Sequence, residues 1–313
     1  MKTENFYVIA VISNPIRFKS RYALYQKFEA EVKAAGAQLL TVECALGDRP
    51  HMVTESNNPW HLQLRTWDEI WHKENMINLG LARLPSNWEY VAWIDADVSF
   101  IRKDWVLETI HQLQHYMVVQ MWETAIDLGP TGSALATHHS FISQYIKGKP
   151  YCYGRPGGYY YEQWHPGYAW AARREAIDHL GGMIDTAILG AGDNHMAHAL
   201  IGMLDGSIAK GLHPNYIKHL TTWQARAERH VRRDVGFVPG TICHSWHGKK
   251  VDRKYHDRWK ILVNHQYDPD LDLKRDSQGL YQLVDHGTLR SSRFRDDLRR
   301  YFRARNEDSI DLE

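Results

Sequence analysis

Three stretches of the sequence combine residue types and spacings that could do chemistry. In residues 91–100, VAWIDADVSF, an apolar run leads directly into Asp95-x-Asp97. Alternation along a strand sends both carboxylates to the same side. Hard oxygen ligands there suit magnesium or manganese, an ion able to neutralise diphosphate oxygens and stabilise a departing diphosphate. The same triplet recurs at Asp268-Pro-Asp270 and Asp270-Leu-Asp272, in a polar segment that reads as a solvated turn. The strand context therefore distinguishes 95–97, against the alternative of two turn or capping aspartates. In residues 190–202, GAGDNHMAHALIG, Asp193 follows two glycines that permit a tight turn. Its carboxylate could take a proton from an attacking hydroxyl, or it could cap a helix.

The third stretch is His244-Ser-Trp-His247-Gly, followed by Lys249, Lys250, Arg253, Tyr255 and Arg258. An imidazole can complete a metal site begun by carboxylates, and the cations can grip a diphosphate. Strand alternation would put His244 and His247 on opposite faces, so one of them is expected to ligate. Gly248, which lets the chain turn over a phosphate, selects His247.

These residues need a scaffold that brings strand ends together. FYVIAVI at the N-terminus reads as a strand, and Leu24, Phe28 and Val32 mark a helical stripe over 19–35. A strand over 37–44 follows, then a helix over 66–82 with Trp67, Ile70, Ile77 and Leu81 on one side, then a buried strand over 88–94. Asp104 can cap a third helix, and 116–122 reads as another strand. This β-α-β-α-β order predicts an α/β fold with an open, mostly parallel sheet and helices on both faces, in which ligands bind beyond the carboxyl ends of the strands. Residues 127–168, rich in Gly, Pro and Tyr, read as a long loop or lid. A strand over 236–248 closes a domain over 1–265, and 266–313 reads as a C-terminal appendage whose residues 290–305 carry seven arginines.

The chain has 313 residues, 43% of them hydrophobic, enough to bury a large core. With 38 basic and 37 acidic residues it carries no global field that would mark a nucleic acid or membrane partner. Cys44, Cys152 and Cys243 are too scattered for a disulfide framework or a CxxC zinc site. The opening apolar run is too short to span a membrane, so a cytoplasmic enzyme of bacterial or phage-infected cells is expected.

Four segments in order, KENMINLGL (73–81), WIDADV, AWAARREAIDHLGG (169–182) and GDNHMAHAL (192–200), resemble the motifs of the large glycosyltransferase family of GT-A fold that includes many bacterial inverting sugar transferases. The resemblance spans roughly residues 5 to 260. It implies a GT-A, Rossmann-like sheet, a nucleoside diphosphate sugar donor, a uridine one, and Mn2+ or Mg2+ as cofactor. It places Asp193 at the catalytic aspartate and the metal on Asp95 and Asp97, while the His-x-Trp-His-Gly ending is similar to a different branch of GT-A enzymes, in which a C-terminal histidine is a third metal ligand, and so implies His247. It puts Asn14, Pro15 and Arg17 near the donor's base and ribose, with Lys73, Asn78, Asp95, Lys249 and Arg253 also at the donor. An ordinary turn at 14–17, or Asn78 tying a helix to a loop, is the competing reading. Arg173 and Arg174 would face either the phosphates or solvent. Two departures stand out: Gly192 occupies the place of the family's Glu, and HSWHG replaces the Gln-x-x-Arg-Trp of processive synthases.

These residues imply metal-assisted displacement with inversion, Asp193 deprotonating an acceptor hydroxyl. Tyr160 and Trp164 could stack on the acceptor, a saccharide or a hydroxymethylated DNA base; the arginines of 290–305 would serve the second, or form a solvated helix face. A sugar nucleotidyltransferase and an inactive nucleotide-sugar-binding or interaction protein are the alternatives. The first lacks support in SNPIRFKSR, which is no glycine-rich phosphate loop.

Overall fold

The computed structural model describes residues 5–151, 163–255 and 257–312. Along the chain run β1 (Phe6–Ser13), α1 (Lys19–Ala34), β2 (Gln38–Leu46), β3 (His61–Thr66), α2 (Lys73–Leu81), β4 (Tyr90–Ile94), β5 (Val98–Phe100) and α3 (Trp105–His115). Then follow β6 (Val118–Gln120), β7 (Thr124–Leu128), β8 (Ala134–His139), α4 (Phe141–Ile146), β9 (Ala169–Arg173), α5 (Arg174–Leu180) and α6 (Gly192–Leu200). The remainder comprises α7 (Pro214–Arg226), β10 (Val235–Phe237), β11 (Thr241–His244), α8 (Asp257–Asn264), α9 (Pro269–Asp272), β12 (Leu273–Arg275), β13 (Tyr281–Leu283) and α10 (Leu289–Arg303).

The seven-stranded sheet has the order β10-β6-β9-β4-β1-β2-β3. Its pairs are parallel except where β9 lies antiparallel between β4 and β6. Strand alternation divides the core into two layers. Phe6, Val8, Ala10 and Ile12 of β1 face one layer with Tyr25, Phe28 and Val32 of α1 and Ile110 and Leu113 of α3. Tyr7 and Ile9 face the other, with Met76, Ile177, Leu200, Trp223 and Leu298. A sheet apolar on both faces must be covered on both, which is why its central strands read as continuous apolar runs.

Several elements differ from the sequence reading. Residues 66–82 are not one helix: β3 ends at Thr66, α2 begins at Lys73, and Trp67 is 67% exposed. HLQLRT alternates with strand period, a signal merged with the apolar residues after it. In the segment read as a long loop, β7, β8 and α4 are regular; β7 and β8 join β5 and β11 in a four-stranded sheet of order β5-β11-β7-β8. The closing strand is two strands, β10 and β11, in different sheets. Asp104 sits at the start of α3 without capping it, because Arg102 takes its carboxylate.

Residues 266–312 pack into the same core: Tyr267, Leu280, Phe294, Leu298, Tyr301 and Phe302 are buried. Five of the six arginines of α10 pair within the molecule, Arg290 with Asp272, Arg295 with Asp68, Arg299 and Arg303 with Glu69, and Arg300 with Asp297, while Arg293 is exposed. No helix among the described residues is long and apolar enough to cross a membrane.

Candidate active site

The parallel strands β1 and β4 end at the same edge of the sheet, and beyond them opens a cavity of about 260 Å³. Its wall includes Ser13, Asn14 and Pro15 after β1, Asp95 and Asp97 after β4, Asp193 at the start of α6, and His244 and His247 after β11.

The pairing of β11 assembles one end of this cavity. His244 lies opposite Val98 on one side and Asp127 on the other. The first pairing draws Asp97 alongside, sealed by a hydrogen bond from the Ser245 amide to the Asp97 carbonyl, 2.8 Å. The second sets a carboxylate behind the imidazole: His244 Nδ1 is 2.9 Å from Asp127 Oδ1. Asp127 also takes His138 Nε2 at 2.7 Å, the Tyr168 hydroxyl at 2.8 Å, and the Lys250 ammonium. Held from Nδ1, His244 presents Nε2 to the cavity, the arrangement by which a second carboxylate orients a metal-ligating imidazole.

Asp97, His244 and His247 each offer one ligand atom, all within 4.8 Å of one another. Asp97 Oδ2 is 3.7 Å from His244 Nε2 and 3.1 Å from His247 Nε2, and the two Nε2 atoms are 3.1 Å apart. Asp97 Oδ1 is buried without a hydrogen-bond partner. A buried orphan carboxylate oxygen beside two converging imidazoles fits a divalent cation. The expectation that only one histidine could reach the metal is thus corrected. β11 stops at His244, so alternation no longer governs the next residues, and His247 Nε2 comes to 3.1 Å from His244 Nε2. The metal cluster among the described residues does not include Asp95, whose carboxylate is bound by Lys73.

Electrostatics follow from burial and these partners. Burial would discharge His244, yet Asp97 and Asp127 raise it to about 9. Burial and the Arg253 guanidinium push His247 down to about 4. For Asp97 burial opposes ionisation, but His244, His247 and Arg253 outweigh it and hold the carboxyl below its ordinary range. Burial likewise acts against the Lys73 charge and is overcome by Asp95, Asp193 and Glu74, which keep its ammonium protonated.

The cavity also carries cations, interleaved with its carboxylates and histidines. Arg21, Lys73, Arg253, Arg258 and Arg305 line it, with Tyr168, Tyr255 and Trp71. Buried atoms of the wall without hydrogen-bond partners include Trp71 Nε1, Asn194 Oδ1, Arg253 Nε and Arg305 Nε. A wall with so many unsatisfied polar atoms suits a polar, anionic ligand. Arg21 was not singled out by sequence, and Arg305 was read only as one of the seven arginines of 290–305. Arg21 lies in the exposed-looking first turn of α1, and Arg305 comes from the far end of the chain; neither has a local signal that places it at the cavity.

Asp193 follows Ala191 (φ +83°) and opens α6, half-buried on the cavity wall, its Oδ1 accepting from the Asn194 amide at 2.8 Å. Gly192 has a steric reason: a Cβ there would lie 2.6 Å from Cδ and Oε1 of Glu74. The buried Glu74 carboxyl fills that space, and burial, despite Lys73, raises it to about 8.

Other expected site residues lie elsewhere. Asn14 lines the cavity but spends its side chain on the Phe18 backbone, closing the loop after β1. Arg17 is exposed and Lys249 half-buried, and both lie outside the cavity wall. Asn78 ties α2 to Met183 and Asp185, far along the helix from Lys73. Arg173 and Arg174 bond to the Leu113 and Ser86 carbonyls and lie outside the cavity wall. Trp164 is 3% exposed and packed on Phe141 and Tyr151, a core residue and not a stacking platform. Tyr160 lies outside the described residues.

No family model and no curated protein matches the chain. Among solved structures it is similar to the catalytic domain of Drosophila beta1,4galactosyltransferase 7 in complex with xylobiose, at 13% identity and a TM-score of 0.39, over 93% of this chain and 98% of that one. It is also similar to S. aureus TarS 1-349, at 8% identity and 0.41, over 82% and 64%. A third is 4-diphosphocytidyl-2C-methyl-D-erythritolsynthase from Anaerococcus prevotii DSM 20548, at 10% and 0.35, over 76% and 90%. Likeness this loose transfers no activity, which the side chains around the cavity must carry.

Proposed function

We propose that the chain is a metal-dependent glycosyltransferase that moves a sugar from a nucleoside diphosphate donor to an acceptor hydroxyl with inversion. The observation that carries this reading is the convergence on one cavity of the Asp97–His244–His247 cluster, several cationic side chains and the carboxylate of Asp193. Two imidazoles and one carboxylate favour manganese over the harder magnesium. A divalent ion held there would neutralise diphosphate oxygens and stabilise the leaving group.

Arg253 and Arg305 donate to the diphosphate, and Lys73 holds Asp95 at the cavity wall. Asp193 takes the proton of the acceptor hydroxyl as that oxygen attacks the anomeric carbon; the bond to the diphosphate breaks on the opposite face. A uridine donor is the reading inherited from the sequence resemblance. The acceptor is read as a saccharide over a hydroxymethylated DNA base, because five of the six arginines of α10 are already paired with Asp68, Glu69, Asp272 and Asp297.

The test is a panel of nucleoside diphosphate sugars incubated with the protein and Mn2+ or EDTA, with release of nucleoside diphosphate as readout. Mn2+-dependent release from one donor is expected. Absence of release from every donor in Mn2+, or equal release in EDTA, would overturn the proposal.

A further inference from the structure

The C-terminal tail after α10 returns to the cavity from the opposite end of the sequence. Glu307 is 2% exposed, and its carboxylate receives Arg21 through Nε and, at 2.6 Å, Nη2. Arg305 Nη1 lies 3.5 Å away. Glu307 Oε2 is also 3.8 Å from Nδ1 of His247, an electrostatic contact on the side of the ring facing away from Asp97. His247 Nε2 is 2.9 Å from a guanidinium nitrogen of Arg253. Arginine can only donate to this Nε2 and the Asp97 carboxylate, 3.1 Å from it, can only accept; an ion held between Asp97 and Nε2 would take the ring's lone pair there and leave the neutral ring's proton on Nδ1, toward Glu307. That is the tautomer a metal ligand needs. Asp127 serves His244 Nδ1 in the same way from β7.

The tail is fastened around this carboxylate. α1 begins after Phe18, which has no capping side chain, and Asp308 supplies the cap by accepting from the Lys19 and Ser20 amides at 3.0 and 2.8 Å. Trp246, between the two histidines, donates its Nε1 to the Ser309 carbonyl at 2.6 Å. Gly248 lies so close that a Cβ would meet the Asn306 carbonyl oxygen at 2.4 Å. Arg305 lies over the rings of Trp71 and Phe302 while lining the cavity.

We propose that the tail 305–309 is a strap that completes the metal and donor site, with Glu307 as a positioning residue that fixes His247 for the ion. This rests on the metal-site reading above. The test uses the full chain: Mn2+ affinity by electron paramagnetic resonance titration, and the His247 tautomer in metal-free protein by nitrogen-15 NMR. Glu307→Gln is expected to weaken Mn2+ binding by about 10- to 100-fold and to move His247 off the Nδ1–H tautomer. Asp308→Ala, which loosens the strap and leaves Glu307 in place, is expected to weaken Mn2+ in the same direction by a smaller factor. It keeps the test open should Glu307→Gln fail to fold. Mn2+ binding within twofold of wild type in the folded variants, with the tautomer unchanged, overturns the strap alone. Failure of the wild type itself to bind Mn2+ overturns the metal-site reading and the strap together.

Discussion

Asp127→Asn should separate the support of the metal site from the site itself. The Asp127 side chain is 7% exposed and its two oxygens divide four donors: Oδ1 takes His244 and Tyr168, and Oδ2 takes His138 and Lys250. Asparagine replaces one oxygen with a donor, so in either orientation two of the four donors face an NH2 group. Lys250 is 46% exposed on its side chain and can turn to water, which limits the loss. One charge-assisted bond lost and one buried donor left unpaired cost about 1.5–3 and 1–3 kcal/mol. The expected destabilisation is therefore about 3 kcal/mol, in the range for breaking a buried ion pair. Urea unfolding in EDTA reads this. Mn2+ titration of the folded variant reads the second effect, an affinity loss of about 10- to 100-fold as His244 loses its orienting carboxylate. A stability change below about 1 kcal/mol together with unchanged Mn2+ affinity would refute the reasoning, since it would mean that Asp127 neither anchors β7 nor fixes His244.

Three further outcomes follow from the same wall of the cavity. Gly192→Ala is expected to destabilise by about 1–3 kcal/mol through overpacking against Glu74, and Glu74→Ala in the same chain should recover most of it; urea unfolding of the double-mutant cycle decides. Glu74 has its folded-state pKa raised from 4.5 to about 8, so its contribution to stability is full below about 4.5 and is lost as pH rises toward 8. Glu74→Gln should accordingly be more stable than wild type at pH 9 and show little advantage at pH 4; thermal melts showing the same difference at both pH values would rule this out. Asp193→Asn should lower sugar transfer by about 10²- to 10⁴-fold while leaving nucleoside diphosphate affinity unchanged, measured by turnover and calorimetry.

Much of the positioning framework was legible in the sequence because its signals are local. A strand running into Asp95 and Asp97, the glycines before Asp193, and the apolar periodicity of β1, α1, β2 and β4 are contained within a few residues. What escaped depends on where an element stops or on contacts across the chain. Two histidines three apart fall on opposite faces only if the strand continues past the first, and β11 ends there. Asp127 lies in a Gly- and Pro-containing stretch that hid the alternation of β7 and β8. Glu307 has no local mark at all, since its importance comes from meeting Arg21 and His247 across the chain, and Arg305 was marked only as part of an arginine-rich run. The one hint was negative: α1 starts at a Phe18 that cannot cap it, which leaves its first amides for a partner elsewhere.

The most direct test of the account is calorimetric titration of a nucleoside diphosphate, UDP first, into wild type and Asp97→Ala protein, with Mn2+ and with EDTA. The account predicts that Mn2+ tightens binding to the wild type by at least about tenfold, close to 1.4 kcal/mol, and that Asp97→Ala removes this enhancement. Equal affinity in Mn2+ and EDTA, or an enhancement that survives Asp97→Ala, would contradict a metal-bridged diphosphate at Asp97, His244 and His247.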